Sequence, residues 1–376
     1  GGMLRIKDKS SGRTLGRTSG LTGLIYRTIN KTTALSFKGV NLALAKFKPL
    51  QRQSWPKQWR GKPRNQWLSA LNGVLGDHLE ATDNPLQINM QLIHQGQVVS
   101  TTAAAALINK HAGESLFLVH GLCMNDEQWL HEGHDHGEAL AQSHNQLCFY
   151  LRYNTGRSVQ DNGRDLSEIM GQITEALPKP KVINFLCHSM GGLVCRSAIH
   201  QVSQTSICQN AETASAQWLE NIKKLIFLGT PHQGATLEKA GNILDYLLTI
   251  SPYSAPFVKL TRTRSQGIQD LQHGHISEDT LAQILPAHIE FYAIAGSRSN
   301  SKKVMQSDSP YKLANSVSIK GNGDGLVSVA SALGRNKNEA KHIAFKSESQ
   351  WLISDCDHME LLGHKTHQLL NKLFNN

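Results

Sequence analysis

The sequence predicts an α/β domain in which a mostly parallel central sheet carries helices on both faces. Short apolar runs alternate with helical patterns from about residue 86 onward, and one of these runs leads directly into a serine followed by glycines. The chain has 376 residues, of which 39% are hydrophobic and 18% are charged. This composition provides a sizeable core and excludes a disordered chain. The apolar runs are also far shorter than the roughly 18–20 residues that a membrane-spanning helix needs, which excludes an integral membrane protein.

Basic residues are concentrated in the N-terminal part of the sequence. Residues 1–64 contain 15 lysines and arginines and a single acid, Asp8, so their net charge is +14 against −4 for the remainder. Apolar residues at helical spacing are followed by a connector in which prolines would end any helix, at Pro49, Pro56 and Pro63. We therefore predict a basic, partly helical N-terminal extension over residues 1–67 and the α/β domain over residues 68–376.

The cysteines predict neither a disulfide framework nor a zinc site, because none of them has CxxC spacing. We expect mostly buried free thiols, which favours a reducing compartment. No apolar signal segment follows Met3, so the expected location is the cytoplasm. The six cysteines are Cys123, Cys148, Cys187, Cys195, Cys208 and Cys356.

The elements of the α/β domain follow in order. Leucines at helical spacing predict a helix from Leu68 to Leu79. Alternating apolar and polar residues from Leu86 to Leu92, with a turn at Gly96, predict a hairpin. Apolar runs then predict five buried strands, at residues 116–119, 147–151, 182–186, 225–228 and 289–295. Because helical patterns lie between these runs, we expect the strands to pair in parallel.

The third of these runs ends in a serine, within the segment Cys187-His188-Ser189-Met190-Gly191-Gly192. A sharp strand-to-helix turn lifts a serine hydroxyl above the sheet edge and requires small residues two positions before and two positions after it. Gly191 meets this requirement, and Cys187 stands where the pattern has its first glycine. The sequence thus predicts Ser189 as a nucleophile at a helix start, where backbone N–H groups and the positive end of the helix face the reacting centre.

A second motif, His120-Gly121-Leu122, directly follows the first predicted buried strand. A glycine lets the loop backbone approach Ser189, and the next N–H can then bind an oxyanion together with the N–H of Met190. We predict Leu122 and Met190 as the oxyanion-hole donors. For His120-Gly121 alone, a simple turn is the alternative.

These motifs resemble the α/β-hydrolase superfamily, in its lipase branch. The local sequence is similar to bacterial relatives of GPI inositol-deacylases and to triacylglycerol lipases. The supporting segments occur in the order of the family between about residues 85 and 375. They are His120-Gly121-Leu122, His188-Ser189-Met190-Gly191-Gly192, Gly229-Thr230-Pro231-His232-Gln233-Gly234 and Gly323-Asp324-Gly325-Leu326-Val327. The basic N-terminal segment has no counterpart in the family core.

A serine hydroxyl needs a base to attack an ester, and the base needs a carboxylate to fix its tautomer. In this fold the acid and then the histidine follow the serine along the chain. Asp324 lies in a glycine-dense loop and matches the acid position that the resemblance implies. His358 directly precedes the last helical pattern, where the family carries its histidine. We predict Asp324 as the acid and His358 as the base; Asp308 and Asp355 are alternative acids, and His342 is a weaker alternative base.

The remaining histidines have other expected roles. We expect His188 to pack beside the site or to line the substrate pocket, because the side chain next to the nucleophile points elsewhere. His232 is expected to shape the rim of the site and to contact substrate rather than to act as the base. His364 and His367 fall inside the last helical pattern and are expected at the surface.

We predict neither a metal nor a cofactor. Residues 131–136 contain three histidines but lack the HExxH spacing of a zinc helix, so a solvated loop is predicted there. Glu360 has the offset of a calcium ligand in some lipases of this branch, but the sequence offers no further oxygen ligands.

Residues 233–285 are more numerous than a simple strand connection needs. Their apolar residues, which include Leu244, Leu247, Leu248 and Phe257, indicate a helical cap that would exclude water and bind an acyl chain. Ordinary packing of a crossover helix is the alternative.

The predicted function is a serine hydrolase, lipase- or esterase-like, that cleaves carboxylic esters with a hydrophobic acyl part through an acyl-enzyme. A thioesterase, an amidase or an acyltransferase would use the same groups. A rival of another class is a non-catalytic binding module that uses its basic segment on membranes or other anionic partners. We expect peripheral association of residues 1–64 with anionic membranes, and no nucleic-acid binding because no recognised motif accompanies the charge.

Overall fold

The computed structural model describes residues 62–209, 218–235, 265–277, 285–299, 311–313 and 323–375. They belong to a compact unit that spans residues 59–376. The helices are α1 (Lys62–Ala81), α2 (Thr101–Lys110), α3 (His136–His144), α4 (Val159–Glu175), α5 (Met190–Gln209), α6 (Gln266–His273), α7 (Val329–Ala332) and α8 (His364–Phe374). The strands are β1 (Gln91–His94), β2 (Gln97–Val99), β3 (Ser115–Val119), β4 (Leu147–Arg152), β5 (Ile183–His188), β6 (Ile222–Leu228), β7 (Glu290–Ser297), β8 (Tyr311–Leu313) and β9 (Gln350–Ser354). Within the described ranges, none of the helices combines the length and the apolar character that crossing a bilayer requires.

The nine strands form one sheet in the order β2-β1-β4-β3-β5-β6-β7-β9-β8. The strands from β4 to β9 along this order pair in parallel, whereas β1, β2 and β8 pair antiparallel at the two edges. Helices connect successive parallel strands, as parallel pairing requires. This is the α/β-hydrolase fold, so the predicted fold class is confirmed. Since β3 and β5 are neighbours, the segments that follow them meet at one edge of the sheet.

Alternate side chains of the central strands pack on opposite faces of the sheet. On one face, Leu116 and Leu118 join a cluster that contains three leucines of α8, namely Leu369, Leu370 and Leu373. On the other face, the ring centroid of Phe117 lies 5.2 Å from that of Phe149 and 5.5 Å from that of Phe185. Both faces are therefore buried, which explains why these strands are apolar throughout rather than alternating.

All five predicted buried strands are present, with ends that differ by a few residues. The predicted hairpin is also present, and its turn has positive φ at Gln95 (49°) and Gly96 (73°), as in a type I′ turn. Its first strand, however, begins at Gln91 rather than at Leu86. The reason is that the Asn72 side chain of α1 bonds to the backbone of residues 86 and 88, which takes these groups away from strand pairing.

Helix α1 corrects the predicted start of the first helix. It begins at Lys62, whereas the sequence predicted that Pro63 would end any helix and that the domain would start at residue 68. Pro63 lies in the first turn, where its missing N–H would have no intrahelical acceptor in any case. The boundary predicted between residues 67 and 68 therefore falls inside a helix.

Two predictions lie mainly or wholly outside the described residues. The basic extension is described only from Lys62 onward. Of the predicted cap over 233–285, the structure describes residues 233–235, 265–277 and 285, which include α6. The membrane-binding segment and the apolar residues of the cap thus remain sequence predictions.

Candidate active site

Ser189 lies at the turn between β5 and α5. Its φ is +53°, a left-handed value that is unusual for a residue other than glycine. The N–H of Ser189 donates to the carbonyl of Leu228 at 2.9 Å, which fixes the turn to the end of β6. A Cβ atom at Gly191 would lie 2.3 Å from the carbonyl oxygen of Val119, so this position requires glycine, as the sequence predicted. The strained turn is an observed outlier at the residue predicted to be the nucleophile.

Cys187 occupies the position where the pattern has its first glycine. Its side chain is fully buried, and its Sγ lies 3.3 Å from the Sγ of Cys195 in α5. Both thiols are free. A small sulfur-containing side chain therefore fits between the strand and the helix, and the departure from glycine leaves the turn intact.

The segment after β3 lies directly against Ser189. A Cβ atom at Gly121 would be 3.0 Å from the Cβ of Ser189, so a larger residue would require its neighbours to shift by a few tenths of an ångström. The hydroxyl of Tyr153 donates to the His120 carbonyl at 2.7 Å, and the two rings stack with centroids 4.4 Å apart. Sequence reasoning missed Tyr153, because nothing in its local pattern shows that it holds this loop.

The two predicted oxyanion-hole donors follow Gly121 and Ser189, the two residues that approach each other here. Leu122 directly follows Gly121 and is fully buried. Met190 is the first residue of α5, so its N–H has no acceptor within the helix. These positions are compatible with the predicted oxyanion hole, which stays a prediction.

Asp324 and His358 form a buried pair in the segments that follow β8 and β9 along the chain. The Nδ1–H of His358 donates to Oδ2 of Asp324 at 2.7 Å, and both side chains are about 1% exposed. The other carboxylate oxygen, Oδ1, accepts from the N–H of Leu326 at 2.9 Å and of Val327 at 2.7 Å. The backbone N–H of His358 also donates to the Asp324 carbonyl at 3.1 Å. The carboxylate is thus held by its own loop and fixes the tautomer of His358 with a lone pair on Nε2.

The acid–base pair and Ser189 meet at the end of β6. Ser189 bonds to Leu228, and a Cβ atom at the next residue, Gly229, would lie 3.1 Å from both Asp324 Oδ2 and His358 Cε1. Ser189 Oγ and His358 Nε2 are both buried, and neither has a hydrogen-bond partner among the described residues. The structure therefore brings all three predicted residues to one edge of the sheet. Ser189 Oγ and His358 Nε2, the atoms that would exchange a proton, are not bonded to other described groups.

His188 has a role that the sequence did not predict. Its Nε2–H donates to the backbone carbonyl of His358 at 3.0 Å, and the ring is 1% exposed. Burial, together with the nearby His358, lowers the pKa of His188 well below its usual value, so the ring is neutral. His188 thus ties the end of β5 to the loop that carries His358.

His232 is buried among aromatic side chains. It is 3% exposed, its ring packs against Phe227 and Phe345, and its Nδ1 accepts from the Arg196 guanidinium at 3.2 Å. Burial lowers the pKa of His232 well below its usual value and that of Arg196 to about 9. The ring is therefore enclosed by packing, and its expected roles at the rim and in contact with substrate stay predictions.

The alternatives that lie within the described residues, Asp355 and His342, are not positioned as Asp324 and His358 are. The Asp355 side chain is 68% exposed and lies 3.6 Å from Lys365, and Asp308 lies outside the described residues. His342 and His364 are exposed, as predicted for His364. His367 is half-buried, so its predicted place at the surface is only partly right.

The prediction of a solvated loop at residues 131–136 is wrong. His134 is 5% exposed and His136 is fully buried, because both rings pack against α8 residues distant in sequence. Glu360, whose offset suggested calcium, instead accepts from the backbone N–H of Asp357 at 2.7 Å. Among the described residues, the group that could hold a metal ion is His134, His136 and His367.

Comparison with known proteins gives a family match over part of the chain. Residues 113–285 match the family described as "Putative serine esterase (DUF676)". No curated protein matches the chain. The match and the site geometry together support a serine hydrolase of ester-type substrates. The finer resemblance to GPI inositol-deacylases and triacylglycerol lipases stays a prediction.

Solved structures with similarity to this chain include three hydrolases. The mature form of Bacillus licheniformis lipase BlEst2 is 16% identical, with a TM-score of 0.42 over 70% of this chain and 92% of that one. YbtT, a type II thioesterase from the yersiniabactin pathway, is 12% identical, with a TM-score of 0.38 over 71% and 92%. The metagenomic carboxyl esterase MGS0156 is 15% identical, with a TM-score of 0.36 over 83% and 87%.

Proposed function

We propose that this protein is a serine carboxylic-ester hydrolase that acts on esters with a hydrophobic acyl part through an acyl-enzyme. The observation that carries the proposal is the buried Asp324–His358 pair at the same sheet edge as Ser189, with no hydrogen-bond partner for Ser189 Oγ or His358 Nε2 among the described residues. A binding module would have no use for an imidazole oriented by a buried carboxylate near a serine held at a left-handed φ.

The first half of the reaction forms the acyl-enzyme. Ser189 Oγ attacks the carbonyl carbon of the ester while its proton passes to Nε2 of His358. The Asp324 carboxylate stabilises the imidazolium that results. The N–H groups of Leu122 and Met190 donate to the oxyanion of the tetrahedral intermediate. The intermediate collapses as the alcohol leaves and takes the proton from His358.

The second half returns the enzyme to its starting state. A water molecule gives a proton to His358 Nε2 and attacks the acyl carbon. Collapse of the second intermediate releases the carboxylic acid, and Ser189 Oγ recovers its proton from His358. Because His188 donates to the His358 carbonyl, the base stays in place through both halves of the reaction.

The preference for a hydrophobic acyl part is supported by the apolar composition of residues 233–285. We propose that this segment covers the site and receives the acyl chain. Peripheral membrane binding through residues 1–64 is a separate proposal, supported by their net charge of +14.

Hydrolysis of p-nitrophenyl esters from acetate to palmitate tests this function. We expect turnover by the wild type, a rise in kcat/KM from acetate to longer chains, and a fall in kcat of at least about 10⁴-fold in Ser189→Ala. Ser203→Ala is a matched control, because Ser203 lies on the same helix α5 and donates only to the Ile199 carbonyl. Equal turnover by Ser189→Ala and the wild type would reject the proposed nucleophile, and a preference for acetate would reject only the hydrophobic acyl part.

A further inference from the structure

Three imidazoles from two distant segments meet beside α8. His134 and His136 come from the segment that enters α3, and His367 comes from α8. The ring centroids of His134 and His136 are 4.7 Å apart, and His367 lies 4.8 Å from the first and 5.9 Å from the second. One nitrogen from each ring can be chosen so that all three lie within 4.8 Å of one another.

The backbone around His134 and His136 is fixed. His131 and His134 exchange two backbone hydrogen bonds, of 2.8 and 2.9 Å, across a two-residue turn with positive φ at Glu132 and Gly133. Asp135 caps α3 by accepting from the N–H of Glu138 at 3.0 Å. The two histidines thus stand on a tight turn and at the first position of a helix, so neither ring depends on a mobile segment for its place.

The ring of His136 is oriented in the way that metal-binding histidines are. Its Nε2–H donates to the backbone carbonyl of Leu361 at 3.0 Å, which leaves the lone pair on Nδ1. That nitrogen accepts a hydrogen bond from Nε2–H of His134 at 2.9 Å, and an ion would replace this bond once His134 carries its proton on Nδ1 instead. Neighbouring nitrogen ligands of a tetrahedral zinc ion lie about 3.3 Å apart, given Zn–N distances of about 2.0–2.1 Å. Small rotations of the two rings would therefore open the space that an ion needs between them.

His367 also has an unpartnered nitrogen. Its Nδ1 is buried and has no hydrogen-bond partner among the described residues. Its Nε2 lies 3.0 Å from the amide nitrogen of Asn371, whose oxygen accepts from His144 and Ser143. If the amide turned by 180°, its oxygen would accept from His367 Nε2–H and leave the Nδ1 lone pair for an ion. His144 and Ser143 can each accept as well as donate, so they would remain satisfied.

We propose that His134, His136 and His367 bind one divalent transition-metal ion, with zinc as the best match to three neutral imidazoles. Imidazole ligands suit zinc, copper and nickel and do not suit calcium or magnesium. The fourth position is open towards His364, whose ring centroid lies 4.3 Å from that of His134 and which is exposed. The site would take water or this imidazole there.

The consequence of an ion at this place is structural. It would join the segment that enters α3 to the helix that follows His358, two segments more than 200 residues apart in the sequence. His136 also bonds to the backbone of Leu361. The Leu361 side chain contacts Gly229, the glycine that Asp324 and His358 also approach. The ion would therefore stabilise the wall of the active site without contact with Ser189. This proposal does not depend on the proposed esterase activity.

Zinc titration of the full chain, prepared without a polyhistidine tag and stripped by a chelator, tests the site. We expect one equivalent of Zn²⁺ to bind in competition with a chromophoric chelator, and the Tm to rise by about 4 °C or more at saturation. His134→Ala and His367→Ala should each weaken binding by about 100-fold or more and abolish the rise in Tm. His273→Ala is the matched control, since His273 and His275 also stack, at 5.1 Å, but form no third contact with a histidine among the described residues. It should bind zinc as the wild type does.

Failure to bind one equivalent of zinc, or equal affinity of the wild type and both ligand variants, would overturn the proposal. The second result would show an adventitious ion at other histidines. If His134→Ala does not fold, His367→Ala carries the test, because the His367 ring is only half-buried and its loss leaves a small gap at the surface. Zinc binding by a Ser189→Ala variant should be normal, which separates this outcome from any failure of the esterase proposal.

Discussion

His358 and His136 are buried histidines that differ in the group that orients their rings. The Nδ1–H of His358 donates to the carboxylate of Asp324 at 2.7 Å, and its Nε2 has no partner in the part of the chain that the structure describes. The Nε2–H of His136 donates to the backbone carbonyl of Leu361 at 3.0 Å, and its Nδ1 faces His134. In both rings one nitrogen is held by an oxygen acceptor, so that the other carries a lone pair.

The acceptor decides what that lone pair can do. A carboxylate stabilises the imidazolium that forms when the ring takes a proton, which suits a base. A neutral carbonyl fixes the tautomer without favouring a positive charge, which suits a metal ligand. Both rings are fully buried, so burial does not distinguish them. The role of a buried histidine is therefore inferred from the group that accepts its hydrogen bond.

The largest effect is expected when the Asp324 carboxylate, which distinguishes His358 from His136, is replaced by an amide. In Asp324→Asn the side-chain oxygen is expected to stay with the N–H groups of Leu326 and Val327, which places the amide N–H groups towards His358 and imposes the wrong tautomer. We expect kcat to fall by about 10⁴-fold with the fold intact. Steady-state kinetics and circular dichroism of the variant check this.

Asp355→Asn is the control, because that side chain is exposed and was the alternative acid. It should keep wild-type activity. A loss in Asp355→Asn that equals the loss in Asp324→Asn would contradict the assignment of the acid.

Acidification should destabilise the folded protein, because buried histidines without a carboxylate partner stay neutral only in the folded state. Burial lowers the pKa of His120 to about 4, from about 6.5 in an unfolded chain. Between these values the unfolded state binds more protons than the folded state, so stability falls as the pH decreases from 6.5 to 4 and levels off below that. The loss due to His120 is on the order of 3 kcal/mol.

Urea unfolding at several pH values between 7 and 4 measures this loss. The variant His120→Gln should show a smaller loss of stability across the same range. Stability that is constant or rises on acidification to pH 5 would show that these rings are protonated in the folded protein.

The link between His188 and the base offers a third test. His188→Leu removes the N–H that donates to the His358 carbonyl, so we expect kcat to fall by about 10-fold with little change in KM. His188→Gln can still donate from its amide and should retain most of the activity. Equal losses in the two variants would indicate that packing rather than the hydrogen bond accounts for the effect.

The smallest effect is expected at Tyr153. Tyr153→Phe keeps the ring stacked on His120 but leaves the His120 carbonyl without its donor. We expect the free energy of unfolding to decrease by about 1–2 kcal/mol, as for other buried carbonyls that lose a partner. Denaturant unfolding measures this change, and an unchanged midpoint would show that the carbonyl finds another donor.

The sequence predicted those features that depend on local pattern. The apolar strands and the turn at Ser189 each follow from residues near one another in the chain, and the approach of Gly121 to Ser189 was predicted from a short motif directly after a strand. The predictions of Asp324 and His358 needed only the order of segments along a parallel sheet and the resemblance to a family. The structure brings both residues to the edge where Ser189 lies.

What the sequence could not predict depends on contacts between distant segments. His136 and Leu361 are 225 residues apart, and the usual zinc motifs search for ligands within one helix or loop. The bond from Asn72 to the backbone near Leu86, which delays the first strand, is likewise invisible in the alternation of apolar and polar residues. Tyr153 and His188 act through single hydrogen bonds to backbone carbonyls, and no residue pattern marks such bonds.

The assignment of Ser189 as the nucleophile is tested by mapping the residue that a fluorophosphonate probe modifies, by digestion of the labelled protein and mass spectrometry of its peptides. We expect a single adduct on Ser189, lost in Ser189→Ala and strongly slowed in His358→Ala, because the hydroxyl needs that base. An adduct on another residue, or labelling of Ser189→Ala at the wild-type rate, would contradict this assignment.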